Sequence, residues 1–230
     1  MRIGSWSIVL ALALVGCRNG ESAPEERQTG AAEPTETAPV TGPERRILAF
    51  GDSLFAGYGL GEGESYPAQL EAALRGQGIN ARVTNAGVSG DTSAAARQRL
   101  EFVLDGLGEA PDLAIVEFGG NDLLRGISPA ETRENLSAIL AELQQRNIPV
   151  LLMGMRAPPN LGAEYVAEFD AIYPDLAERF GAQLVPFFLE SVYDQPALIQ
   201  PDRVHPTAEG IEAIVAATTD EVAEALPEAD

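Results

Sequence analysis

The chain has no lysine. All 15 of its cationic side chains are arginine, set against 35 acidic ones, for a net charge of −20. That balance argues against a nucleic-acid partner, because phosphate binding needs clustered cations. It argues equally against docking on an anionic bilayer through basic patches. Cysteine and histidine each occur once, as Cys17 and His205. One of each cannot build a disulfide framework or a zinc site. There is no D-x-D-x-D-G calcium loop and no G-x-x-x-x-G-K-[ST] phosphate loop, so no metal or nucleotide cofactor is implied.

Long apolar runs are also lacking. Ile8 to Val15 is an apolar run near the start, and it is too short to span a bilayer. With Arg2 before it, the run reads as the h-region of a signal peptide. It ends in Leu14-Val15-Gly16-Cys17, which resembles a bacterial lipobox, where cleavage before the cysteine leaves a lipid-modified N-terminus. Residues 1–16 are therefore expected to be a lipoprotein signal peptide and Cys17 the lipidation site, anchoring the protein to a membrane. The expected location is the cell envelope, facing the periplasm. Arg18 stands where aspartate commonly retains such proteins at an inner membrane, which favours the outer one. Residues 18–43 contain no aromatic residue, isoleucine or leucine. Such a stretch cannot bury enough apolar surface to offset its ordering entropy. Residues 17–43 read as a lipidated, disordered tether, reaching roughly 30 Å as a flexible coil.

Residues 44–230 form the remaining domain, and here apolar residues are plentiful. Short apolar runs at Arg46–Phe50, Arg82–Asn85, Leu113–Phe118, Pro149–Met153 and Gln183–Phe187 read as strands buried on both faces. Helical segments are expected at Tyr66–Arg75, Thr92–Leu104, Pro129–Gln145, Ala163–Phe180 and Ala208–Leu226. Ser128-Pro129 is a start signal, serine at the N-cap and proline in the first turn. Strict alternation predicts an α/β fold: a mostly parallel sheet of about five strands with helices on both faces, a three-layer α/β/α sandwich. In such sheets ligands bind beyond the carboxyl ends of the strands, so reactive residues belong just after strands.

Ser53 meets that demand, directly after the first strand in Gly51-Asp52-Ser53-Leu54. The G-x-S-x-G elbow of the α/β-hydrolases is excluded, because Phe55 stands at the second glycine. His205 is the one imidazole available as a general base. Asp202 lies three residues before it, a spacing that puts both on one side of a helical turn, where a carboxylate can hold Nδ1–H and leave Nε2 free. Gly90 precedes a helix start after the second strand, and Asn121 follows the third. A glycine N–H and an asparagine amide suit an oxyanion hole. Singly, each of these residues is also explained as a turn residue, helix cap or surface group.

Together, Gly-Asp-Ser-Leu, "NAGVSGDT", "GGND" and "DRVHP" occur in that order. The chain thereby resembles the GDSL, or SGNH, hydrolase superfamily from about Ile47 to Ile214, with a flavodoxin-like fold. The stretch from Leu151 to Tyr193 is similar to the acyl-CoA thioesterase I, lysophospholipase and arylesterase branch. The resemblance implies Ser53 as nucleophile, Asp202 and His205 as the other triad members, and an oxyanion hole from Ser53 N–H, Gly90 N–H and the Asn121 amide. Asp52 reads as a structural brace. The implied activity is hydrolysis of carboxylic esters or thioesters through an acyl-serine, the partner being a small-molecule ester or lysolipid. A carbohydrate O-acetyl esterase and a non-catalytic lipid-binding lipoprotein are the alternatives. Phe55, Val88 and Thr207 depart from the family pattern without removing a reacting group.

Overall fold

The computed structural model describes residues 40–228. The signal peptide, Cys17 and nearly all of the tether read from the sequence lie outside the described residues. Five short apolar runs pair into one sheet: β1 (Arg45–Gly51), β2 (Ala81–Asn85), β3 (Leu113–Glu117), β4 (Val150–Met153) and β5 (Gln183–Val185). All four pairings are parallel, in the order β2-β1-β3-β4-β5. Ile47 to Phe50 on β1 and Leu113 to Val116 on β3 are buried without alternation. That continuity is what covering both faces of a parallel sheet demands.

The helices supply the cover. On one face α2 (Tyr66–Gly76) packs against α8 (Ala208–Ala225). On the other, α3 (Ser93–Gly106), α5 (Pro129–Gln145) and α7 (Ile172–Phe180) pack side by side. Hydroxyl caps start three of them: Thr92, Ser128 and Thr207 accept from Ala95, Glu131 and Gly210 N–H. Two short helices were not foreseen, α1 (Ser53–Ala56) and α4 (Gly120–Arg125), each following a strand directly.

One helix expected from the sequence is two. The segment Ala163–Phe180 divides at Ala171 into α6 (Ala163–Asp170) and α7. Pro174 explains the break, since its ring excludes the carbonyl four residues back, that of Asp170, from a continuous ladder. The Asp170 carboxylate, at the end of α6, accepts from the Ala157 N–H at 2.8 Å.

Strand order reverses at β1, whose neighbours β2 and β3 lead away on either side. Such a switch point leaves a crevice at the carboxyl edge. Ser53 and Asn121, just past β1 and β3, flank it.

Candidate active site

The site begins where β1 ends. Gly51 is needed there because a Cβ would stand 2.6 Å from the Phe55 ring and 3.0 Å from Glu117 Oε2. Asp52 caps α1, accepting from the Leu54 N–H at 3.0 Å. Ser53, largely buried, is thereby set at the first position of a four-residue helix. Phe55 departs from the family pattern for a packing reason. It is fully buried, stacked on Tyr66 at 5.1 Å and edge-on to Phe188 at 5.6 Å.

His205 comes from the far end of the chain. Its Nε2 lies 2.9 Å from Ser53 Oγ, and its Nδ1 lies 2.7 Å from Asp202 Oδ2. With the Nδ1 proton directed at Asp202, Nε2 is left to accept from the serine hydroxyl. The local structure corrects the sequence reading: Asp202 and His205 do not share a helical turn. Asp202 Oδ1 accepts from the Val204 and His205 N–H groups at 2.9 and 3.1 Å, an Asx-type turn with Arg203 at φ 64°. A bridge between Ile199 and Pro206 closes the loop, and Thr207 starts α8 behind it. The bond to His205 is the main cause holding the Asp202 carboxyl low, at about 2.

Asn121 sits in the first turn of α4, and its amide donates to Asp52 Oδ2 at 2.8 Å. Asn121 is therefore not a cap, and one of its two N–H bonds is committed to Asp52. Gly90, at φ 85°, is held by its carbonyl, which accepts from Arg125 at 2.7 Å. Its N–H has no protein partner among the described residues. Ser53, Asn121 and His205 line one cavity of about 280 Å³, and Gly90 is not among its lining residues.

Several site residues were missed in the sequence. Asp122, fully buried, accepts from the Ser93 N–H at 2.9 Å and from Thr132 Oγ1 at 3.0 Å, tying α4 to the starts of α3 and α5. It thus couples the Gly90 and Asn121 loops. The Tyr58 ring lies 4.4 Å from the His205 ring, and Gln200 donates to the carbonyls of both Tyr58 and Pro206 at 2.8 Å. Asn85 donates to the Phe55 carbonyl at 2.8 Å, and at Gly87 a Cβ would strike the Ala56 backbone. The one signal for Asn85, Gly87 and Asp122 was their closeness in sequence to Gly90 and Asn121.

Gly119 shows how tightly the third loop is built. It lies at φ 121°, and a Cβ there would collide with the Tyr173 hydroxyl, which donates to the Phe118 carbonyl at 2.9 Å. Gly119→Ala is expected to cost about 1–3 kcal/mol through backbone strain alone. Urea unfolding checks this, and a loss below about 0.5 kcal/mol would show that the backbone there accommodates alanine without strain.

Buried carboxyls complete the floor. Burial raises the Asp52 carboxyl, against the lowering effect of its bonds to Leu54, Glu117 and Asn121. Glu117, fully buried on β3, is raised well above the carboxylate range by burial and by the Asp52 charge.

A serine, an imidazole and a carboxylate in hydrogen-bonded series, at the switch point of a doubly wound sheet, define a serine hydrolase. Residues 49–213 match the GDSL-like Lipase/Acylhydrolase family, and the chain belongs to it. It is 39% identical over 160 residues to Esterase TesA of Pseudomonas aeruginosa, covering 70% of this chain and 79% of that one. It is 41% identical over 160 residues to the Escherichia coli protein named thioesterase 1/protease 1/lysophospholipase L1, covering 70% of this chain and 74% of that one. Among solved structures, AlinE4, an SGNH-hydrolase family esterase, is 70% identical with a TM-score of 0.69, covering 82% of this chain and all of that one.

Proposed function

We propose that the chain hydrolyses carboxylic esters and thioesters of acyl chains, lysophospholipids and aryl or short-chain esters among them, through an acyl-Ser53 intermediate. The observation carrying this reading is the unbroken series Ser53 Oγ, His205 Nε2, His205 Nδ1, Asp202. His205 takes the serine proton as Oγ attacks the carbonyl carbon. The oxyanion is met by the Ser53 N–H, the Gly90 N–H and the second N–H of the Asn121 amide. The tetrahedral centre collapses, His205 returns the proton to the departing alcohol or thiol, and the acyl group stays on Ser53. Water, deprotonated by the same ring, then releases the acid.

The cavity supports the substrate class. Leu54, Leu123, Met155, Leu189 and Ile199 line it, a surface suited to an acyl chain rather than an acetylated sugar. Arg156 and Arg203 also line the cavity, cations suited to a lysolipid phosphate in a chain otherwise strongly acidic. Labelling with a serine-directed fluorophosphonate tests the nucleophile. Relative rates on a lysophospholipid, an acyl thioester and an acetylated sugar test the class. No labelling of folded protein, or preference for the sugar, would refute the reading.

The rate should fall on acidification, because a protonated His205 ring cannot accept the Ser53 proton. Asp202 stays ionised until the pH nears about 2, so one acidic limb is expected, not two. A kcat/KM profile level from about pH 8 down to about pH 4.5 would contradict the His205 role.

We further propose that the protein is tethered to the envelope, outer membrane favoured, through a lipid on Cys17. The Leu14-Val15-Gly16-Cys17 spacing supports this. Cys17→Ser should abolish incorporation of a fatty-acid probe in cells, and equal labelling of the variant would refute the anchor.

A further inference from the structure

The proposed mechanism does not use Glu117. It is fully buried on the central strand β3, and its Oε1 has no hydrogen-bond partner among the described residues. Its Oε2 accepts from the Asp52 N–H at 3.3 Å, and the two carboxyl groups are within hydrogen-bonding reach of one another. Two carboxylates cannot both be ionised in one buried site at neutral pH, so the pair holds a proton. The bonding pattern says where. Asp52 accepts from the Leu54 N–H and from the Asn121 amide, and the Ser53 hydroxyl lies 3.4 Å from its Oδ1. Two donors, a backbone N–H and an amide, favour the anion at Asp52. Glu117 receives one backbone N–H, and its Oε1 receives no donor among the described residues.

We propose that Glu117 is a positioning residue: it stays a neutral carboxylic acid, donates to an ionised Asp52, and through Asp52 holds the Asn121 amide toward the oxyanion. An ionised Glu117 would leave a charged oxygen bare in the core, whereas an acid leaves only a hydroxyl that has Asp52 to bond and a neutral carbonyl. The surrounding groups agree. Asp122 on α4 is already bonded to Ser93 and Thr132. The Tyr173 hydroxyl on α7 donates to the Phe118 carbonyl, not to Glu117. Arg99 on α3 bonds the Gly51 carbonyl and is paired with Asp91 at 2.6 Å. His205 is bonded to Ser53 and Asp202. None of these supplies a cation to Glu117.

Two measurements test the proposal, and they fail separately. The first concerns protonation and needs no activity. An unfolded Glu117 loses its proton above about pH 4.3, while the folded one keeps it, so Glu117 contributes a stability that falls as pH rises and that Glu117→Gln lacks. The ratio of their unfolding constants, from urea titrations between about pH 5 and pH 8, should change about tenfold per pH unit. A ratio independent of pH would mean that Glu117 is ionised in the fold, and the proposal would be wrong.

The second concerns position, and rests on the Asn121 oxyanion role proposed above. Glu117→Met, similar in volume but without a donor, should lower kcat at least tenfold with KM within about threefold. Glu117→Gln, whose amide can still donate to Asp52, should recover most of that loss. In an Asn121→Ala background Glu117→Met should cost little more, since both act on one donor. A wild-type kcat in Glu117→Met, or its full loss repeated in the Asn121→Ala background, would overturn the proposal. If Glu117→Met does not fold, Glu117→Gln decides alone: a tenfold loss of kcat there overturns it, and retained turnover with the pH-dependent unfolding ratio upholds it. An error in the Ser53 mechanism would appear instead as a wild type that neither labels nor turns over.

Discussion

Ser53→Ala should lower kcat by about 10⁴–10⁶-fold, roughly 5–8 kcal/mol of transition-state stabilisation, with the fold intact. The hydroxyl is the atom that bonds to the acyl group, and nothing near it can take over. Asp52 also bonds the Leu54 N–H, so α1 does not depend on the serine side chain. His205 loses one hydrogen bond and keeps the one to Asp202. Stability should therefore change by only about 1 kcal/mol. Steady-state rates beside urea unfolding check both halves, with loss of fluorophosphonate labelling as a direct readout. A folded Ser53→Ala enzyme within tenfold of wild type would place the nucleophile elsewhere.

Asn121→Ala is expected to cost about 10²–10³ in kcat, roughly 3–4 kcal/mol, with KM little changed. An oxyanion donor acts when the carbonyl oxygen gains charge, so its loss is felt in the transition state rather than in binding. The bond at 2.8 Å to Asp52 adds a structural consequence. Removing it takes a donor from a buried carboxyl, so stability should fall by about 1–3 kcal/mol as well. A residue that merely braced Asp52 would show the second loss without the first. Near-normal kcat with reduced stability would take Asn121 out of the oxyanion hole.

The sequence was informative where chemistry follows chain order. Ser53 and Asn121 stand just past segments whose apolar character marks them, the Asp202–His205 pair is marked by its spacing, and the β-α alternation implied the parallel sheet. Less legible was anything decided by a distant partner. Glu117 is an acidic residue in an otherwise apolar run, and only the fold shows it fully buried with its Oε2 on the Asp52 N–H. Asp122 stands beside Asn121 in the same motif, and only the fold shows that it joins three helices. Tyr58 is an ordinary loop aromatic until the His205 loop folds against it. The break at Ala171 was visible in Pro174, but the apolar spacing on both sides masked it. The Asp202–His205 spacing was read correctly as proximity and wrongly as helix, since an Asx turn brings the same two residues together.

The hydrogen bond between Ser53 and His205 closes a loop of 152 residues. Helices and local turns can form within microseconds, but a contact of that separation waits for the parallel pairings between. Secondary structure can therefore return during refolding well before the reacting atoms meet. Recovered turnover would count only molecules whose whole chain has been gathered, and it would lag behind the far-ultraviolet circular dichroism. The same separation acts in reverse: a mutation in any strand between these residues that loosens the sheet should silence the enzyme before it visibly unfolds.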